Sequence, residues 1–75
     1  MLIETRALVL KSFPYSDTSL ISRIYTEDRG KVSVLAKGAR RMKNNVAALL
    51  EPLNIVDISY YDKESRGIQT LKEVS

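Results

Sequence analysis

The stretch Asn54 to Tyr61, NIVDISYY, alternates with a period of two. Val56, Ile58 and Tyr60 share one face, while Ile55, Asp57, Ser59 and Tyr61 share the other. Branched and aromatic side chains of this kind fit a pleated surface. Lys31 to Lys37 alternates in the same way, with Val32, Val34 and Ala36 on a core face and Lys31, Ser33, Leu35 and Lys37 facing out. Thr18 to Thr26 (TSLISRIYT) and Ile68 to Val74 (IQTLKEV) read as strands, and Thr5 to Ser12 (TRALVLKS) is too short for an independent helix. Turn residues separate these runs: Pro14 with Ser16 and Asp17, then Glu27 to Gly30 as a hairpin loop, then Asp62 to Gly67. Pro52 cannot donate to a central ladder and belongs near a strand start or edge. Val46 to Leu50 is either a turn of helix or the opening of the next strand. Five short strands and no long amphipathic helix predict an all-β barrel or sandwich. Closure into a barrel leaves no long unpaired edge.

With 75 residues, the chain has room for one domain, residues 1–75, with a stability of roughly 3–5 kcal/mol. It has no cysteine, so no disulfide staples it and no thiolate holds a metal. It has no histidine, which removes the commonest general base and neutral metal ligand. The serines therefore lack an activating imidazole. Glu27 with Asp28, and Asp62 with Glu64, read as solvated turn acids with nothing to shift their titration. No catalytic residue, cofactor or metal is expected. The N-terminus mixes charge with apolar residues and lacks a cleavage site, and no apolar run is long enough to span a bilayer, so the expected location is the cytoplasm. The close, LKEVS, has no tail and suggests a domain from a longer protein.

Charge carries the functional signal. The net charge is +3, yet residues 29–43 hold Arg29, Lys31, Lys37, Arg40, Arg41 and Lys43 with no acid, leaving −3 for the rest. Segregated positive charge is the footprint of a polyanion-binding surface. Its densest part is KGARRMKNN, residues 37–45. Such a run is most often a solvated loop. Three features point further. Adjacent Arg40 and Arg41 suit bidentate phosphate contacts. Gly38 allows close backbone approach. Lys31 and Lys37 extend the charge in a line down one face, as a single strand of nucleic acid requires. Among the aromatics, Phe13 and Tyr60 read as core, and Tyr15 and Tyr61 as exposed candidates for base stacking. There is no aromatic-rich RNA-recognition motif, so contacts should fall on phosphates more than on bases.

LVLKSFPYSDTSLISRIYTEDRGKVSVLAKGARR, then LLEPLNIVDISYY, then TLKE, together resemble the N-terminal domain of the RecO family of bacterial DNA-repair proteins, over nearly the whole chain. The resemblance implies a five-stranded Greek-key OB-fold, followed in the family by a helical region that often bears a zinc site. It implies a non-enzymatic, nucleoid-associated protein of the RecF recombination pathway that binds single- and double-stranded DNA and anneals complementary strands. It implies a RecR-type partner, and contact with single-stranded-DNA-binding protein only through the region that follows. By motif position it places DNA or RecR contacts on Lys37, Arg40, Arg41 and Lys43. Two readings of the loop follow: a phosphate-binding surface, or a docking surface for acids on a RecR-type protein.

Overall fold

The computed structural model describes residues 1–41 and 45–75. Five strands form a closed barrel: β1 (Leu2–Pro14), β2 (Leu20–Thr26), β3 (Gly30–Ala36), β4 (Ile55–Tyr61) and β5 (Gln69–Val74). They follow one another round the barrel as β1-β2-β3-β5-β4. All neighbours are antiparallel except β3 and β5, which run parallel through Val34–Gln69 and Leu35–Thr70. This is an OB-fold barrel. The segment left open between helix and strand forms one helical turn, α1 (Val46–Leu49). Ala47, Ala48 and Leu49 are good helix formers. The Asn54 amide closes the turn by donating to the carbonyls of Ala48 (3.0 Å) and Leu49 (3.2 Å), two of the acceptors a helix end leaves unmet. Val46, Ala47 and Leu49 pack against the core, and Leu50 is fully buried in it.

The first strand is longer than Thr5–Ser12 and takes in Pro14, so the turn begins at Tyr15. Its length follows from double duty. Leu2 to Leu8 pairs with β4, and Ala7 to Pro14 pairs with β2. A bulge at Leu10 interrupts the pairing with β2. It also reverses which residues face inward. Ala7 and Val9 point into the core before it; Ser12 points inward after it. Phe13 is therefore turned outward, half-buried opposite Ile21 with the Lys11 ammonium 6.0 Å from its ring, and is not the core residue that its position suggests.

Val9, Ile24, Val34, Val56, Ile58 and Tyr60 fill the barrel. Tyr60 is the largest fully buried side chain, and its hydroxyl has no hydrogen-bond partner among the described residues. A part-buried polar link ties β1 and β2 to the residue after α1. The Ser12 hydroxyl donates to the Leu50 carbonyl at 2.6 Å and bonds the buried Ser22 hydroxyl. Replacing Ser12 with Ala strands both groups and is expected to cost about 1–3 kcal/mol, visible as a lower urea midpoint at unchanged m-value.

Candidate nucleic-acid interface

Lys31 and Lys37 bracket β3, exposed and six residues apart, which spans about 20 Å of strand. Beside β3, the outward residues of β2 are Ile21, Arg23 and Tyr25, in register with Leu35, Ser33 and Lys31. On β1, Lys11 stands opposite Arg23. The expected line of charge is thus a band, with Lys11, Arg23 and Lys31 around one shallow groove. Arg29 lines a neighbouring groove with Lys31 and Arg66, but its guanidinium donates to the Asp62 carboxylate at 3.2 Å, so its charge is matched.

The basic loop is pinned. Ala39 is buried. The Arg40 N–H donates to the Thr18 carbonyl at 2.8 Å, and its guanidinium donates to the Ser16 carbonyl at 2.9 Å. Both bonds fasten the loop to the β1–β2 turn, so Arg40 positions the loop as well as charging it. The Arg41 N–H returns to the Gly38 carbonyl at 3.2 Å. Gly38 has φ +70°, the left-handed region that favours glycine. The Arg41 guanidinium packs beside it, 3.5 Å from where a Cβ at 38 would stand. Lys43 lies outside the described residues.

Beyond the loop is a groove of about 300 Å³ whose lining includes Tyr15, Ile21, Leu35 and Ile68, with Lys37 and Arg66 beside them. Tyr15 is 63% exposed. Arg66 is steadied by weak bonds, 3.4 Å each, to the Thr70 hydroxyl and the Tyr61 carbonyl. Tyr61 is exposed on β4, in register with Leu2 on one side and with the groove-lining Thr70 on the other, so it adjoins this groove across β5 without being one of its lining residues. The structure brings Tyr15, Lys37 and Arg66 together around the groove, with Tyr61 next to its Thr70 edge. Arg23, Lys11 and Arg66 join the basic surface although the sequence reading did not single them out. The outward alternation of β2 marks Arg23. Nothing local marks Arg66, which reaches the site only through the parallel pairing of β3 with β5.

The profile of the family described as "Recombination protein O N terminal" matches residues 1–75. The chain belongs to the RecO family. The DNA repair protein RecO of Salinibacter ruber is 43% identical over 74 residues, 99% of this chain and 28% of that protein. The RecO of Pelodictyon phaeoclathratiforme is 45% identical over 69 residues, covering 92% and 26%. That of Chlorobaculum parvum is 37% identical over 75 residues, covering 100% and 29%. This RecO-family barrel therefore spans under a third of the length of these relatives. No helix among its described residues is long and apolar enough to cross a membrane.

Proposed function

We propose that this barrel is a DNA-contacting module of a recombinational repair protein. It binds single- and double-stranded DNA through phosphates and so supports annealing. The observation that carries this reading is the double tie of Arg40 to the β1–β2 turn, which sets the basic loop beside Tyr15. A pinned loop has already met part of the ordering cost that a floppy cationic loop meets on binding. Lys31, Lys37, Arg40, Arg41 and Arg66 then face one track. Phosphate contacts hold a strand without using its base edges, which stay available to a complementary strand. A cationic surface also relieves the repulsion between two strands.

The test is fluorescence anisotropy of a labelled single-stranded oligonucleotide at several salt concentrations. Five phosphate contacts give a slope of log K against log salt of about −3.5, with Kd in the weak range of roughly 10⁻⁴–10⁻⁶ M at physiological salt. Lys37→Ala with Arg41→Ala should flatten the slope by about 1.4 and weaken all sequences alike. An unchanged slope removes the loop from the DNA track. If the variant keeps its DNA affinity but loses a RecR-type protein, the loop serves that partner instead.

A further inference from the structure

On the side of the barrel away from the basic loop, one cross-strand row is apolar. Ile55 on β4 stands opposite Leu8 on β1, and Leu8 opposite Tyr25 on β2. These three line a groove of about 380 Å³. Ile55 is 70% exposed, and Leu53, two residues before it, is 78% exposed. Leu53 also holds φ +75°, where glycine or asparagine is more comfortable than leucine. Its backbone is fixed there, because the Leu53 N–H donates to the Val9 carbonyl at 2.8 Å and the Val9 N–H to the Asn54 carbonyl at 2.9 Å. A leucine thus occupies a position that favours other residues and places its side chain in water.

The register shows what can reach this row. Asp57 and Ser75 exchange both backbone hydrogen bonds, each 2.9 Å, beside β4. β5 runs antiparallel to β4, so chain continuing past Ser75 in this register comes opposite Ile55 two residues later. The alternation of an antiparallel ladder turns the Ile55 N–H and C=O to the same side as those of Asp57. The RecO relatives are more than three times as long as the region matched here. We infer that the β4 edge at Ile55, where this apolar row ends, is the docking site for the segment that directly follows residue 75 in a longer RecO-family chain, which extends β5 and comes to lie beside Ile55. DNA is the wrong occupant, because the adjoining surface carries Glu4, Glu27, Asp57 and Glu73 against the one cation Arg6, which is itself paired with Asp57. This inference stands independently of the DNA reading.

The experiment uses the full-length protein carrying this barrel. Ile55→Cys is combined with a cysteine two residues after Ser75. Facing pairs of this hydrogen-bonded type lie about 5.5 Å apart at Cα, within disulfide reach. Mild oxidation should close an intramolecular disulfide in most molecules, while Glu51→Cys with the same second cysteine should not. A yield no higher than that control overturns the inference. So do dimers joined through the position-55 cysteines, which would make a second copy the occupant. Separately, Leu53→Asn with Ile55→Thr, both at exposed positions, should speed protease cleavage just after residue 75 at least tenfold. Unchanged cleavage also overturns it.

Discussion

Tyr60→Ala should bring folded and unfolded molecules to comparable populations at 25 °C, whereas Tyr60→Phe should be more stable than the parent. Tyr60 is 0% exposed and the largest side chain in the barrel. Truncating a buried aromatic to Ala costs about 3–5 kcal/mol. That equals the whole stability of roughly 3–5 kcal/mol available to a core of this size without disulfide or metal. Urea denaturation followed by circular dichroism reads the outcome, and a midpoint near the parent's sinks the argument. The Phe variant isolates the hydroxyl, which is buried without a partner among the described residues. Removing it while keeping the ring should gain about 1 kcal/mol, or roughly 4–8 °C in Tm.

The same hydroxyl sets an alkaline limit. Burial pushes the Tyr60 phenol above its ordinary pKa; Asp62 and Asp28 push the same way, and Arg29 opposes them. The folded state therefore keeps a proton that the unfolded chain gives up near pH 10. Stability is fully present below that pH and falls above it, by up to about 1.4 kcal/mol per pH unit until the folded pKa is reached. Tyr60→Phe should abolish this component of the alkaline decline. An identical decline in parent and variant assigns it to other groups.

How much of this was legible in the sequence depends on where each cause lies. Val56, Ile58 and Tyr60 are readable as core because a two-residue period in one strand is local information, and all three are buried. Val34 and Ala36 follow the same rule. Phe13 breaks it because one bulged residue, Leu10, exchanges the faces of everything after it, and no residue type announces the insertion. Ser12 and Ser22 look like surface serines until that exchange points Ser12 inward, where the two satisfy each other. For the site, the charge run predicts a basic loop but not its anchoring. Arg40 reads as a free phosphate ligand, although its backbone and side chain both reach back across the β1–β2 turn. Arg29 reads as part of the run, although Asp62, far along the chain, claims it. Local pattern reveals strands and charge; long-range pairing decides which charges share a surface.

Reversing charge on both sides of the Tyr15 groove, with Lys37→Glu and Arg66→Glu, should lower single-strand affinity roughly 100-fold at low salt. Each change removes a phosphate contact and adds a repulsion, and the two side chains line one groove from separate elements, β3's end and the β4–β5 loop. Both positions are exposed, so the fold should be undisturbed and circular dichroism unchanged. The single changes separate the two sources of the idea. Lys37→Glu tests the basic run itself, while Arg66→Glu tests the proximity created by the parallel β3–β5 pairing. If Arg66→Glu alone weakens binding about as much as Lys37→Glu, the DNA track crosses from β3 to the β4–β5 loop. If Arg66→Glu has no effect, the track stays on the loop and the band of Lys11, Arg23 and Lys31. Tyr15→Ala adds the last discrimination. A base stacked on Tyr15 contributes about 1–3 kcal/mol and leaves the salt slope unchanged when lost, whereas a track made of phosphate contacts alone is indifferent to that substitution. Strong dependence on Tyr15 would also limit annealing, because a base held against the ring is withheld from its complement.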